Sequence, residues 1–117
     1  MFDDDRPLFT QHPEREGDPA LGATFGTATD GATVVVVARG ELDLATRDSM
    51  RVVLTPLEGD VVIDLRSVTF LDSGAIGVLV HTRNRLLGAG GDLRLREPQP
   101  FIRRSLQIVG LADWIES

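Results

Sequence analysis

The feature that most constrains the fold is a pair of aliphatic segments in which apolar side chains do not alternate with polar ones. They cover residues 34–37 and 61–65, and such runs are typical of strands buried on both faces. Between them, residues 45–54 have apolar positions at helical spacing, and Asp43 is placed to cap the start of this helix. A strand, a helix and a second strand in this order predict a right-handed crossover within one parallel sheet.

Further elements extend this unit in both directions. Asp30-Gly31 lies between two strand-like segments and suits the tight turn of an N-terminal β-hairpin. Beyond the second buried strand we expect a loop over residues 67–71, a helix over 73–87, an edge strand over 93–96 and a last helix over 100–109. The predicted fold class is α/β, with a mixed, mostly parallel sheet of four to five strands and helices packed on it.

The first 20 residues form a separate region by composition. They carry six acidic side chains and three prolines and show no apolar periodicity, which predicts a disordered acidic tail over residues 1–20. The remaining residues, 21–117, suffice for one ordered domain with a modest core of its own.

Charge and composition exclude several classes of function. A net charge of −6 argues against a nucleic-acid partner, which requires a basic face for the phosphates. The chain has no cysteine and no cluster of histidines, so nothing points to a metal site. The N-terminus lacks the pattern of a signal peptide, and the longest aliphatic run is too short to span a bilayer. We therefore expect a cytoplasmic protein that acts without membrane, metal or cofactor, and not as an enzyme.

Two loops should lie at the carboxyl ends of the central strands, where sheets of this kind bind their ligands. One loop holds Glu41 and Asp43, and the other ends at Asp72 and Ser73. Aspartate and serine are both preferred helix caps, so plain capping is the structural alternative to a functional role. A phosphate on Ser73 would face free backbone N–H groups and the positive end of the helix dipole, so the domain itself would tolerate it.

The helix that follows Ser73 carries two glycines on the face opposite its apolar stripe. Each glycine costs roughly 1 kcal/mol relative to alanine inside a helix, and close approach of another protein's backbone would compensate for that cost. Val78 and His81 fall on the same face when residues are placed at roughly 100° intervals. The predicted partner face around Ser73 comprises Glu41, Asp43, Asp72, Gly74, Gly77, Val78 and His81.

Four motifs in a fixed order make the chain recognisable. Gly40-Glu41-Leu42-Asp43 follows the first central strand, and Val62-Ile63-Asp64-Leu65 lies in the next. Phe70-Leu71-Asp72-Ser73 precedes Ile76-Gly77, and Ile108-Val109-Gly110-Leu111 closes the last helix. From about residue 22 to the end, the chain resembles the STAS domains of bacterial anti-sigma factor antagonists. After the phosphorylated serine that family commonly has a second small hydroxyl residue or alanine and then glycine, whereas this chain has Gly74-Ala75.

The resemblance implies a binding switch. In that family the unmodified protein binds an anti-sigma factor, often a serine kinase with a histidine-kinase-like ATP-binding fold, and thereby releases a sigma factor. The kinase phosphorylates the serine that aligns with Ser73, which ends binding, and a metal-dependent serine phosphatase restores the binding form. The resemblance thus implies an anti-sigma factor antagonist that is regulated at Ser73.

Two alternatives with active-site chemistry fail on particular residues. A serine hydrolase elbow needs glycines where Leu71 and Ala75 stand, and His81 lies two turns, roughly 12 Å, from Ser73 along the helix axis. A phospho-aspartate receiver could use Asp64, but such domains need a lysine, and all twelve cationic side chains are arginine. Asp64 is therefore expected to make a structural hydrogen bond.

One alternative of a different class stays open. A STAS scaffold of a stressosome, or an accessory subunit of a lipid-transport ABC complex, would share the fold and the partner face without acting on a sigma factor. The identity of the partner distinguishes these functions, because one predicts a soluble kinase and the other a scaffold protein or a membrane-linked ATPase.

Overall fold

The computed structural model describes residues 22–116 and the backbone of residues 15–16. Five strands form one sheet in the order β1-β2-β3-β4-β5. The strands are β1 (Arg15–Glu16), β2 (Ala23–Asp30), β3 (Thr33–Leu42), β4 (Asp60–Leu71) and β5 (Asp92–Arg96). The helices are α1 (Arg47–Leu54), α2 (Ser73–Gly88) and α3 (Pro100–Ile108), followed by a short 3₁₀ helix, Ala112–Trp114. Only β2 runs against the other four described strands, so the predicted mixed, mostly parallel sheet is confirmed.

The antiparallel part of the sheet is the predicted hairpin of β2 and β3. Its register starts at Asp30↔Thr33, and Gly31 supplies the positive φ of 63° that such a tight turn favours. Strand β1 pairs with β2 at Arg15↔Gly26 and Glu16↔Phe25, so the stretch predicted as a tail is joined to the sheet at these two residues. The rest of residues 1–20 lies outside the described part of the chain.

The central strands β3 and β4 are longer than the sequence predicts. They pair in parallel from Thr33↔Asp60 to Leu42↔Leu71, so the predicted loop over residues 67–71 is wrong. Those residues continue β4 because β3 runs on to Leu42 and offers its backbone N–H and C=O groups to them. Two register shifts along the pair absorb the local irregularity.

Asp64 lies at the first of these register shifts. Its Oδ1 accepts a hydrogen bond from the backbone N–H of Arg66 at 2.9 Å, and its carboxylate also lies 3.7 Å from the Arg66 guanidinium. The prediction that Asp64 makes a structural hydrogen bond is confirmed.

The hydrophobic core brings together the inward side chains of the sheet and all three helices. Leu65, Leu79, Leu93 and Leu106 have no exposed surface, and they represent β4, α2, β5 and α3. The expectation of burial on both faces holds for β4, where residues 61–63 are all buried. It is wrong for β3, where Val35 and Val37 are only half-buried, because the helices pack on the face that holds Val36 and Ala38.

The last elements follow the predicted order. Strand β5 pairs with Asp60–Asp64 of β4 and is the last strand of the sheet, as predicted. On its other side Leu95 forms a single parallel bridge with Ile115, and α3 packs against β4. The side chain of Gln99, which precedes α3, donates to the carbonyl of Arg66 at 3.0 Å. No helix in the part of the chain that the structure describes has both the length and the apolar character needed to cross a bilayer.

Arg83 joins α2 to β5 and to the C-terminal segment. Its Nε donates to Asp92 Oδ1 at 2.9 Å, and its Cζ lies 4.5 Å from the centre of the Trp114 ring, an arrangement that adds cation–π attraction. The hydrogen bond from Arg83 holds the pKa of Asp92 below its usual value, with burial acting in the opposite direction. The two side chains are 22% and 34% exposed, so we expect this pair to contribute at most about 1 kcal/mol.

This pair predicts a specific dependence of stability on pH. Asp92→Asn should lower the free energy of unfolding at pH 7 by a few tenths to about 1 kcal/mol, because the charged acceptor for Arg83 is lost. A carboxylate with a lowered pKa stabilises the fold above its unfolded-state pKa and loses that effect as it becomes protonated. The difference from wild type should therefore disappear as the pH falls below about 4. Urea denaturation at pH 7, 5 and 3 measures this, with Glu58→Gln as an exposed control, and an undiminished difference at pH 3 would contradict the assignment.

Candidate functional site

The loop after β3 and the start of α2 meet at one edge of the sheet because β3 and β4 end side by side. The last register pair is Leu42↔Leu71, and directly after it the backbone N–H of Asp72 donates to the carbonyl of Leu42 at 3.1 Å. The loop after β3 therefore lies beside the start of α2. Glu41 and Asp43 are thus brought next to the segment that holds Asp72 and Ser73, as predicted.

A glycine is required near the end of β3. Gly40 has a φ of 92°, which L side chains rarely adopt, and a Cβ there would overlap the carbonyl oxygen of Gly22. The neighbouring Glu41 donates its backbone N–H to that same carbonyl at 2.8 Å. Gly40 therefore allows the close backbone approach that orients exposed Glu41 at the edge of the sheet.

The loop between β3 and α1 is held by hydrogen bonds from two side chains. Asp43 Oδ1 accepts from the backbone N–H groups of Ala45 and Thr46, at 3.0 and 3.2 Å. Thr46 Oγ1 donates to the carbonyl of Glu41 at 2.8 Å and accepts from the backbone N–H of Asp43 at 3.0 Å. Together these hydrogen bonds hold the backbone between Glu41 and Thr46 in a defined geometry.

The structure corrects the predicted start of α1. The helix begins at Arg47, with Thr46 as its N-cap, and not at about residue 45 with Asp43 as the cap, because the Asp43 carboxylate is already used in the preceding turn. Thr46 is only 2% exposed, and sequence reasoning missed its role. A threonine directly before a helical pattern is the signal that could have indicated it.

Capping and modification fall on different residues at the start of α2. Asp72 is the N-cap, and its Oδ1 accepts from the backbone N–H of Ala75 at 2.8 Å. Ser73 is the first residue of the helix and is exposed. Its hydroxyl makes no hydrogen bond to another residue of the described range 22–116. The helix start therefore depends on Asp72, and Ser73 is available for another role.

Helices α1 and α2 enclose a groove next to Ser73. Its volume is ≈ 290 Å³ and its walls include Leu54 of α1 and the four predicted residues of α2: Gly74, Gly77, Val78 and His81. The expectation that Val78 points to solvent is wrong, since Val78 is only 6% exposed. It lies at the floor of the groove because α1 packs against this side of α2.

Arg85 fixes the distance between the two helices at the far end of the groove. Its guanidinium donates to the backbone carbonyls of Leu54 and Leu57, each at 2.9 Å. A cation at these carbonyls complements the negative end of the α1 dipole.

The two glycines of α2 have different surroundings. A Cβ on Gly77 would meet nothing within 4 Å, whereas a Cβ on Gly74 would lie 2.8 Å from Cζ and 3.0 Å from Nε of Arg47. The guanidinium of Arg47 thus occupies the space that a side chain at position 74 would need. At Gly74 the far end of the flexible Arg47 side chain fills the space of the missing side chain, while Gly77 leaves open space in the wall of the groove.

Two exposed apolar side chains at this edge were missed by sequence reasoning. Leu44, in the loop after β3, is 73% exposed, and Phe70, near the end of β4, is 48% exposed. Phe70 is the register partner of Glu41, so it belongs to the same edge as the acidic loop. An exposed apolar residue beside an otherwise charged loop is a feature of protein interaction surfaces.

The described residues contain no group of three or more His, Cys, Asp or Glu side chains that could hold a metal ion. The site therefore consists of an exposed hydroxyl, an acidic loop, two apolar side chains and a shallow groove between helices. These features suit the binding of a protein surface.

Fold and site define a small α/β domain with a mixed sheet and an exposed serine at the head of a helix, beside an acidic loop. The family model described as "Mlab, STAS domain" matches residues 25–116. The chain belongs to the STAS domain family, which confirms the resemblance found in its sequence motifs.

Individual proteins of the family show the same similarity. The chain is 34% identical over 80 residues to the anti-sigma-B factor antagonist of Bacillus subtilis, covering 66% of this chain and 73% of that protein. It is 30% identical over 93 residues to a STAS-domain containing protein of Pseudomonas aeruginosa, covering 75% and 90%. Among solved structures, it is similar to an anti-sigma factor antagonist from Mycobacterium paratuberculosis, with a TM-score of 0.73, 25% identity and coverage of 80% and 82%.

The different surroundings of the glycines predict responses of different size to alanine. Gly77→Ala should raise the free energy of unfolding by up to about 1 kcal/mol, because the methyl group enters open space and alanine favours the helix. Gly88→Ala, also in open space at the end of α2, should give a smaller gain. Gly74→Ala should gain less than Gly77→Ala, because the flexible end of the Arg47 side chain must move aside. Thermal and urea denaturation measure all three, and an equal gain at positions 74 and 77 would contradict the packing of Arg47.

Proposed function

We propose that this chain is a cytoplasmic anti-sigma factor antagonist whose partner binding is controlled at Ser73. The unmodified chain binds an anti-sigma factor, a serine kinase with a histidine-kinase-like ATPase fold, and frees a sigma factor. Phosphorylation of Ser73 ends the complex, and a metal-dependent serine phosphatase restores the binding form. The observation that carries this proposal is the separation of Asp72, which caps α2, from the exposed hydroxyl of Ser73, which has no hydrogen-bond partner within residues 22–116.

The position of Ser73 favours a switch that acts on binding and leaves the fold intact. A phosphate there meets the free N–H groups and positive dipole end of α2, which favour an anion. A partner that covers Ser73 would instead have to bury about −1.5 to −2 of new charge beside Asp72. A penalty of about 3 kcal/mol would lower the affinity roughly a hundredfold.

The surroundings of Ser73 support a protein partner. Gly77 leaves room for close approach of a foreign backbone, and Leu44 and Phe70 offer exposed apolar area. The backbone of Glu41 and the carboxylate of Asp43 are held at the same edge, where the two acidic side chains would select a basic group on the partner. Gly74, Val78 and His81 contribute the groove that borders this surface.

The switch is tested first by affinity pull-down from native lysate with Ser73→Ala and Ser73→Asp baits. The alanine variant should capture a serine-kinase-like anti-sigma factor identified by mass spectrometry, because it leaves the surface uncharged. The aspartate variant should lose at least tenfold in affinity, since it adds a negative charge under the partner. Gln107→Asp, which adds the same charge on the exposed side of α3, should bind like wild type.

Equal capture of that anti-sigma factor by the alanine and aspartate baits would contradict control at Ser73. Capture of a scaffold protein or a membrane-linked ATPase by both baits would favour the alternative role, a STAS scaffold or an accessory subunit that does not act on a sigma factor.

The open surface at Gly77 is tested by adding bulk. Gly77→Gln should lower partner affinity at least tenfold, because the new side chain would hold the partner away from α2. Gly88→Gln adds the same side chain to open space at the other end of α2 and should leave affinity unchanged. Titration calorimetry with the captured partner measures both, and equal affinities for the two variants would remove Gly77 from the interface.

A further inference from the structure

The side chain of Arg47 lies across the first turn of α2 instead of extending into solvent. Its guanidinium fills the space above Gly74, with Cζ 2.8 Å and Nε 3.0 Å from the position of a Cβ on that residue. Gly74 directly follows Ser73. A residue of α1 thus brings a permanent positive charge to the segment that holds the exposed hydroxyl.

This positive charge lacks a counter-charge among the residues that the structure describes. Nε of Arg47 exposes less than 1 Å² to solvent and has no hydrogen-bond partner, and within residues 22–116 no ion pair joins Arg47 to a carboxylate. The first turn of a helix is also the positive end of its dipole, which disfavours a cation. An arginine whose guanidinium lies at the head of a helix, without an ion pair among residues 22–116, is suited to bind an anion there.

We infer that Arg47 is the counter-ion for a phosphate on Ser73. This inference rests on the proposed modification of Ser73 and assigns the group that receives it. Phosphate oxygens accept several hydrogen bonds, and the guanidinium presents several donors in one plane, a combination that favours a charge-assisted contact. Arg47 acts as a positioning residue: it draws the phosphate against α2, and its positive charge is then paired with the phosphate.

The contact would strengthen the switch in a way that the added charge alone does not. In the unmodified chain the Arg47 cation is part of the surface that a partner meets beside Gly74. After modification that cation is paired with the phosphate, so the partner loses a positive group at the same step in which it gains a negative one. A partner carboxylate placed opposite Arg47 would lose its ion pair with Arg47 and would also be repelled by the phosphate.

The charged groups around Ser73 set the expected titration of a phosphate there. Asp72 on the same segment and Glu41 and Asp43 from the loop before α1 raise its second pKa, while Arg47 of α1 lowers it; His81 lies two turns further along α2. A cation in direct contact lowers the pKa of an acid by about one unit or more. Because the other groups stay in place, the effect of Arg47 is the difference between wild type and a variant that lacks its charge.

The experiment uses protein in which phosphoserine is incorporated at position 73 during translation, so that no kinase or partner is needed. The phosphorus NMR signal is titrated between pH 4 and 8 in four chains: wild type, Arg47→Gln, Arg47→Lys and Arg51→Gln. The second pKa of the phosphate, ordinarily about 6, should be about one unit lower in wild type than in Arg47→Gln. Arg51→Gln, one turn away on the same helix, should match wild type, and Arg47→Lys should restore most of the shift.

Equal pKa values in wild type and Arg47→Gln would overturn the inference. A pKa change in Arg51→Gln as large as that in Arg47→Gln would overturn it too, because it would indicate a long-range electrostatic effect and not a direct contact. Circular dichroism of each variant verifies that the fold is retained, and the lysine variant keeps the test valid should glutamine disturb α1. Because partner and kinase are absent, a failure here leaves the proposed function standing, whereas failure of the pull-down leaves this pKa difference unaffected.

Discussion

The site depends on the parallel pairing of β3 with β4 over their whole lengths. Because the register holds from Thr33↔Asp60 to Leu42↔Leu71, both strands end at the same height. The hydrogen bond from Asp72 to Leu42 then sets where α2 starts. Without the second half of this pairing, the acidic loop and the exposed serine would lie on separate flexible connections, and no common surface would exist for a partner.

Different residues at the head of α2 cap the helix and carry the exposed hydroxyl, which is why the proposed modification would act on binding and not on the fold. Asp72 caps the helix through Ala75, so the start of α2 does not use the hydroxyl of Ser73. Gly74 and Arg47 belong to the same arrangement, because the missing side chain makes room for a guanidinium next to Ser73 in the sequence. The departure of this chain from the usual family pattern after the serine thus has a physical counterpart in α1: a glycine at 74 fits an arginine at 47.

Local patterns predicted most of the fold, and tertiary contacts account for what they missed. The hairpin, α2, α3 and the edge strand follow from turn chemistry and periodicity that act over a few residues. The second half of β4 could not be predicted, because residues 67–71 become a strand only through pairing with β3. Val78 was assigned to solvent because a helical wheel shows two faces but not the neighbour that covers one of them. Arg47 carries no signal of its own, since its role depends on a glycine 27 positions away in the sequence.

The central claim is that a phosphate on Ser73 changes partner binding and leaves the domain folded as before. It is tested most directly by calorimetric affinity of the captured anti-sigma factor for unmodified and Ser73-phosphorylated protein, together with the amide NMR spectrum of each form. The account predicts an affinity roughly a hundredfold lower after phosphorylation, with amide shifts confined to the start of α2 and the adjoining loop. Equal affinity of the two forms, or spectral changes throughout the sheet, would contradict it.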